Sequence, residues 1–323
     1  MNNWLTGWKK KIGIKVKQIL KKQPTGQQES DWVNCPSCAK IQLRSDLIDN
    51  SYICECSFHF DLPPKLRLDS LLNSDYEIIE APTNINPDPL NFEVKDSAGK
   101  GYKYIDKIKK YREVTNQHTA LLCASGAISN LSAVVVCFNP KFGGGRFGTA
   151  ENEHFLKATT VAIQKKVEIW IVIYQSSGID VHAGVTALSG MTKSVIALNE
   201  IKNAGIPTFA IAARAVAGGT YASSFFMHEF ILIEHSSVEN LLFSGRRVTS
   251  NILKSTDTIP SSFGRADGVL KSGMADICLE SRKELKKIIT KLANIILKKK
   301  KLKSTDEADE NSEYFKKIAS TSS

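Results

Sequence analysis

The sequence predicts an α/β layered domain preceded by a small cysteine module. Short β-rich runs alternate with helical patterns along the body, the signature of layered α/β architecture. Most of those runs are too continuously apolar to leave one face wet, so they read as buried strands. Four of the seven cysteines, Cys35, Cys38, Cys54 and Cys56, form two close pairs near the N-terminus. With 323 residues and 42% hydrophobic content the chain can bury a full core, so it is not a disordered protein. No stretch has the unbroken apolar length of a membrane span, and Met1 to Pro24 has no apolar core followed by a small-residue cleavage site. A soluble, unexported, cytoplasmic protein is expected.

Composition divides the chain into a basic leader (1–30), the cysteine module (31–62), a long body (63–300) and a polar tail (301–323) expected to be disordered. The formal charge of +10 sits mostly at the ends, in Lys9, Lys10, Lys11, Lys15, Lys17, Lys21 and Lys22 and again in Lys298 to Lys301 and Lys303. Such runs attract phosphate-rich partners, although frayed, solvated termini account for most of them. Trp4, Leu5, Trp8, Ile12 and Ile19 recur near helical spacing, so the leader could also form a surface-seeking amphipathic helix.

The module reads C-P-S-C at Cys35 to Cys38 and, after fifteen intervening residues, C-E-C at Cys54 to Cys56. Two knuckles at that separation can fold back so that four soft ligands reach one tetrahedral Zn²⁺, which stabilises a unit too small for its own core. The second knuckle is one residue short, so His59 is an alternative to Cys56, and a metal-free apolar hairpin is the other reading. Cys123, Cys137 and Cys278 lie in apolar contexts that suit reduced, buried thiols.

In the body, Pro82, Pro87 and Pro89 with Asn84, Asn86 and Asp88 mark a surface connection. Strands are predicted over Val134 to Phe138, Ile169 to Tyr174, Thr208 to Ala212, Phe230 to Glu234 and Ala275 to Leu279. Leu188, Met191, Val195, Leu198 and Ile201 recur at helical spacing, and Gly205 with Pro207 closes that helix. Leu285, Ile288, Ile289, Leu292, Ile295 and Ile296 make a second stripe ending in lysines that suit a helix C-terminus. Both stripes read as core contacts.

Three glycine sites carry the chemistry. Gly143, Gly145 and Gly148 formally satisfy G-x-G-x-x-G, but the acidic Glu151 and Glu153 at the following helix start would repel a pyrophosphate, and no earlier βαβ unit precedes them. Close approach of backbone to backbone or ligand is the preferred reading. Y-Q-S-S-G-I-D, Tyr174 to Asp180, and A-G-G-T-Y-A-S, Ala217 to Ser223, each follow a buried strand and enter a helical pattern. Main-chain N–H groups at such turns can hold an oxyanion, which suggests enolate or tetrahedral chemistry.

Over Trp32 to Ile296 the chain resembles the beta subunit of bacterial and plastid acetyl-CoA carboxylase carboxyltransferase. Its W-x-x-C-P-x-C opening is met by Trp32, Cys35, Pro36 and Cys38, and K-L-R-L-D-S-L-L, Lys65 to Leu72, resembles the segment after that family's zinc ribbon. F-x-x-x-F-x-G-G-x-x-G is met by Phe138, Phe142, Gly144, Gly145 and Gly148, and S-G-G-A-R falls on Ser176 to Asp180, with Met191 and Lys193 following in register. G-G-x-x-A-S falls on Gly218, Gly219, Ala222 and Ser223, G-P-R-V on Gly245 to Val248, and G-x-x-D on Gly273 and Asp276.

The resemblance implies a crotonase-like (ClpP/crotonase) spiral domain behind a zinc-ribbon-like module whose zinc ligands are Cys35, Cys38, Cys54 and Cys56. It implies transfer of a carboxyl group from carboxybiotin on a carrier protein to acetyl-CoA, giving malonyl-CoA for fatty acid synthesis. Released biotin can take the methyl proton in that scheme, so no side-chain base is indispensable. Ser177 and Gly178 fall where the enolate-stabilising glycines lie, and Gly218 and Gly219 form a second turn at the acyl-CoA site. Gly144, Gly145, Arg246 and Arg247 are the implied coenzyme contacts. The implied partners are an alpha subunit in an α2β2 assembly, biotin carboxyl carrier protein and biotin carboxylase, within an ATP-dependent complex. Ser177 stands for a glycine and Asp180 for an arginine, a charge reversal that Arg146, Arg214 or Arg246 would have to offset.

His118, His154, His182, His228 and His235 have no metal-like spacing and are assigned no role. Ser176 or Ser177 with His182 lacks the G-x-S-x-G elbow of a hydrolase. The departures also fit a non-catalytic scaffold that binds the alpha subunit. The basic ends and cysteine module fit a nucleic-acid-binding protein, against which stands the lack of aromatics interleaved with the lysines.

Overall fold

The computed structural model describes residues 31–95, 99, 101–253 and 258–298. The expected basic leader, its amphipathic helix and the polar tail lie outside them. The chain divides into two compact units, Met1–Phe60 and Asp61–Ser323, a boundary two residues before the expected one.

In the first unit, strands β1 (Trp32–Asn34) and β2 (Ile41–Leu43) pair antiparallel, and helix α1 (Arg44–Asp49) follows. Each knuckle is a hydrogen-bonded turn. Cys35 N–H donates to Lys40 O while its own carbonyl accepts from Ala39, and Cys54 N–H donates to Phe58 O while its carbonyl accepts from Ser57.

The second unit runs α2 (Pro64–Leu71), β3 (Glu77–Ile79), the hairpin β4 (Glu93–Lys95) and β5 (Gly101–Lys103), α3 (Tyr104–Thr115), β6 (Leu121–Ile128) and β7 (Leu131–Phe138). It continues through α4 (Thr149–Gln164), β8 (Ile169–Ser176), α5 (Val185–Asn203), β9 (Thr208–Ala217), α6 (Gly218–Ala222), β10 (Phe230–Ile233) and β11 (Leu241–Leu242). Helices α7 (Arg246–Leu253) and α8 (Ala266–Lys271), strand β12 (Ile277–Cys278) and helix α9 (285–298) complete it. The main sheet has the order β12-β10-β9-β8-β7-β6-β3, with β11 paired to the end of β9. From β7 to β12 the pairings are parallel, whereas β6 joins β7 and β3 joins β6 antiparallel.

Strand β8 is buried along its whole length because both sheet faces are covered. Trp170, Val172 and Tyr174 meet Phe155, Ala158 and Ala162 of α4 and Leu198 and Ile201 of α5 on one face. Ile169, Ile171 and Ile173 meet Leu68 and Leu71 of α2 and Leu285, Ile289 and Ala293 of α9 on the other. The helix predicted around Leu188 to Ile201 is present as α5, but its buried face needs correction. Ala187, Gly190, Ser194, Ala197, Leu198 and Ile201 face inward, while Leu188 is exposed. The cause is close packing of α5 on α4: a Cβ on Gly190 would lie 1.6 Å from the Asn152 amide, so small residues take the contact.

Candidate active site: two stacked glycine turns

Strands β8 and β9 are parallel neighbours, so the turns that leave them sit side by side. The first turn, Ser177–Gly178, has Gly178 at φ +114; the second begins at Gly218 with φ +59. A Cβ on Gly178 would lie 2.9 Å from Ala217 O and 3.4 Å from Gly218 Cα, so the turns touch backbone to backbone and only glycine fits. Two buried hydroxyls bind them together. Ser176 Oγ accepts from Gly178 N–H at 3.1 Å and lies 3.2 Å from Thr220 Oγ1 on α6.

The glycine loop at 142–148 lies across the end of β8. Gly145 approaches so closely that a Cβ would fall 1.8 Å from Gln175 O. Ser177 N–H donates to Gly144 O (2.9 Å), Phe147 N–H to Gly178 O (2.9 Å) and Asp180 N–H to Phe147 O (3.1 Å). The glycines serve backbone contact, as the preferred reading of the motif has it. The helix start behind them is already occupied by its own carboxylate: Glu151 Oε2 accepts from Gly148 N–H and Oε1 from Ala120 N–H, both at 3.0 Å.

Ser177 does not adopt a positive φ, so its substitution for glycine brings no backbone strain. The amides of Ser177 and Gly178 are both spent within the chain, on Gly144 O and Ser176 Oγ, so in this arrangement neither is open to an enolate oxygen. The next amide of the turn, Ile179 N–H, has no partner among the described residues. The second turn opens α6, whose first N–H groups have no acceptor within the helix. Beside it an apolar groove of about 510 Å³ runs past Tyr221, Leu242, Phe263, Gly264 and Met274.

The implied coenzyme contacts are placed differently. Gly144 and Gly145 give their N–H groups to Pro140 O (3.0 Å) and Phe142 O (3.1 Å). Arg246 donates to the carbonyls of Pro260 (2.9 Å), Phe263 (3.4 Å) and Ile259 (3.4 Å), holding that loop, and Arg247 is exposed beside it.

The charge reversal at Asp180 is met by Arg146. Arg146 Nη1 lies 2.6 Å from Asp180 Oδ2 and Nη2 3.3 Å from Glu151 Oε2, all three side chains being buried. Burial opposes the Arg146 charge, but Glu151, Tyr104 and Asp180 outweigh it and raise its pKa. Tyr104 also donates to Asp180 Oδ2 at 2.8 Å, and His182 Nδ1 lies 3.0 Å from Asp180 Oδ1. Arg214 pairs instead with Asp61 at the surface. Sequence spacing shows none of this, because Arg146, Tyr104 and Asp180 meet only in three dimensions.

In the first unit the four cysteine sulfurs lie within 4.8 Å of one another, with Cys35–Cys56 and Cys38–Cys54 both at 3.7 Å. Four Zn–S bonds of ~2.3 Å in a tetrahedron place the sulfurs roughly 3.8 Å apart, so the set fits zinc. Cys56 belongs to the set despite the shortened knuckle, and His59, whose Nδ1 bonds Ser57 O at 3.1 Å, does not. Burial pushes the Cys54 thiol up, but hydrogen bonds from the Cys56 backbone and the other cysteine side chains bring it down to about 7. Gln42 Nε2 donates to its sulfur at 2.9 Å.

The fold is shared with solved carboxyl-transferring and decarboxylating enzymes. Transcarboxylase 12S, with hydrolysed methylmalonyl-coenzyme A bound, superposes with TM-score 0.55 at 18% identity over 72% of this chain; this chain spans 41% of that one. A chain of the Pseudomonas malonate decarboxylase hetero-tetramer matches with TM-score 0.54 at 16% identity, over 73% of this chain and 82% of its own. The architecture is thus crotonase-like, and the class, carboxyl transferase, comes from the family match. The carboxyl transferase domain matches residues 105–320. The acetyl-coenzyme A carboxylase carboxyl transferase subunit beta of Pelagibacter ubique (strain HTCC1062) is 30% identical over 322 residues, 97% of this chain and 99% of that protein. That of Novosphingobium aromaticivorans is 30% identical over 82% of this chain and 88% of its own length. The chain belongs to the acetyl-coenzyme A carboxylase carboxyl transferase subunit beta family.

Proposed function

We propose that the chain forms one half of a carboxyl transferase that moves the carboxyl group of carboxybiotin, delivered on a carrier protein, to acetyl-CoA, yielding malonyl-CoA. The observation that carries this reading is the backbone contact between the turns at Gly178 and Gly218, the second of which opens α6, whose Tyr221 lines the groove. The Ile179 amide on one side and the first amides of α6 on the other are the donors for a thioester's enolate oxygen. Ser177, Gly178, Gly218 and Gly219 shape the turns, and the apolar groove suits the pantetheine arm. Arg247, exposed and next in the chain to Arg246, is a candidate for the coenzyme phosphates.

Cys35, Cys38, Cys54 and Cys56 would hold zinc, which supplies a structural cross-link for the small unit. The site is completed by an alpha subunit of related fold, in an α2β2 assembly served by biotin carboxylase and biotin carboxyl carrier protein. Among the described residues no helix is long and apolar enough to cross a membrane, in keeping with a cytoplasmic complex.

The test is malonyl-CoA-dependent carboxylation of free biotin by the purified chain mixed with its alpha partner. Turnover supports the reading. Stable assembly without turnover favours the scaffold, a reading that the internally spent amides of Ser177 and Gly178 also support.

A further inference from the structure

We infer that Arg146 and Asp180 are positioning residues for the transferase: their ion pair fixes the segment that presents the Ile179 amide. The inference rests on the carboxyl-transfer reading and adds to it the device that aims one of its donors.

Ile179 forms an isolated parallel bridge with Phe147. Phe147 N–H donates to Gly178 O at 2.9 Å, and Asp180 N–H donates to Phe147 O at 3.1 Å. In a parallel pairing the residue between two such bonds turns its own N–H and C=O to the opposite side. The Ile179 amide therefore faces away from the loop at 142–148. A Cβ on Gly219 would lie 2.3 Å from Ile179 Cγ1, so the Ile179 side chain rests on the second glycine turn. Two hydrogen bonds are a short bridge for a group that must stay in place while charge develops beside it.

The ion pair staples the same two segments one residue along. Arg146 precedes Phe147 and Asp180 follows Ile179, and their side chains meet at 2.6 Å, Nη1 to Oδ2. Both side chains are buried and themselves fixed. Arg146 Nη2 lies 3.3 Å from Glu151 Oε2, and the guanidinium sits 5.7 Å from the centre of the Phe142 ring. Asp180 Oδ2 also accepts from Tyr104 OH at 2.8 Å, while Oδ1 accepts from His182 N–H at 3.2 Å and lies 3.0 Å from His182 Nδ1. Both oxygens of Asp180 are thus engaged within the chain, so this carboxylate acts through the backbone and not on the coenzyme. The residue that reads as a charge reversal is half of the staple.

The thioester oxygen gains its negative charge only as the enolate forms. A donor held in place strengthens at that moment and adds little to binding of the resting thioester. Loosening the bridge should therefore slow turnover without weakening coenzyme binding.

The test uses the full chain assembled with its alpha partner, in malonyl-CoA-dependent carboxylation of free biotin. Asp180→Asn keeps the size of the side chain and removes its charge. Its kcat is expected to fall about 10- to 100-fold while KM for malonyl-CoA stays within about twofold, the signature of a misplaced transition-state contact. Arg146→Gln should behave alike, and Arg146→Lys, which keeps a cation beside Asp180, should regain part of that loss. Asp180→Asn with wild-type kcat, or with a kcat loss matched by a rise in KM, overturns the inference and leaves the transferase reading standing. If Asp180→Asn fails to assemble, Arg146→Gln decides on the same terms. A wild-type complex without turnover removes the underlying reading, and the inference with it.

Discussion

Two buried charge clusters in the second unit are built from the same groups and come to different ends. Around Glu234, Arg67 Nη1 sits at 2.5 Å and Arg282 Nη2 at 3.3 Å, and Arg67 also reaches Gln175 Oε1 at 3.4 Å. Two cations share one anion there, and all three side chains are sealed from solvent. Around Arg146 the count is reversed: one cation lies between Asp180 and Glu151, and the cluster runs through His182 to the surface. The sealed cluster ties α2, the end of β10 and the segment before α9 together across the sheet. The open one fixes the loop at 142–148 against the first glycine turn and leaves His182 partly exposed. The two clusters thus differ in whether their chain of contacts reaches water.

Removing the shared anion of the sealed cluster should cost most. Glu234→Gln strands two buried guanidinium charges, and a loss of about 3–5 kcal/mol in urea unfolding is expected. The imbalance is visible already: burial lowers the Arg282 pKa to about 10, with Arg67 adding to the effect and Glu234 opposing it. Asp180→Asn should cost less, about 1.5–3 kcal/mol, because Arg146 keeps Glu151 as a partner. Equal losses in the two variants would break the distinction between the clusters.

The parts that the sequence made legible are those fixed by local pattern. Val134 to Phe138 and Ile169 to Tyr174 announce strands because both faces are covered, and the structure extends them to Leu131–Phe138 and Ile169–Ser176. Strand Leu121–Ile128 was hidden because Ala124, Ser125 and Gly126 break its β-rich character. Gly126 is there because Tyr76 lies against it, where a Cβ would meet Tyr76 Cβ at 2.6 Å. The face of α5 was misjudged because large residues signal burial in sequence, whereas tight helix contact selects Ala187, Gly190 and Ser194. Both glycine turns were legible as strand ends followed by helical patterns. Their hydrogen bonds were not, since the acceptor of Ser177 N–H comes from a loop 33 residues earlier. Asp180 read as a lost charge because its partner Arg146 is equally remote in the chain.

The histidines offer a finer contrast. His228 is fully enclosed with Nε2 3.0 Å from Tyr174 OH, and burial pushes its pKa down to about 3. The unfolded chain therefore binds a proton below about pH 6.5 that the folded chain refuses. This contribution to stability is complete above that pH and is lost as the pH falls toward 3, reaching about 2 kcal/mol by pH 5. Urea midpoints at pH 7 and pH 5 measure it, and His228→Gln should flatten the difference. His154, also lowered by burial, adds in the same direction. A wild-type midpoint unchanged at pH 5 would mean that water already reaches His228.

The smallest effect tests whether burial, rather than distance, separates these groups. Lys193 Nζ lies 2.6 Å from Glu153 Oε1, the same separation as Arg146 from Asp180, but the two side chains are 48% and 29% exposed. Water screens the attraction there, and ordering a long lysine side chain offsets much of what remains. Lys193→Ala should shift stability by about 0.5 kcal/mol or less, and added salt should erase the shift. A Lys193→Ala loss as large as that of Asp180→Asn would show that contact distance alone sets the energy. The sealed and open clusters would then differ in where they lead, not in how strongly they hold.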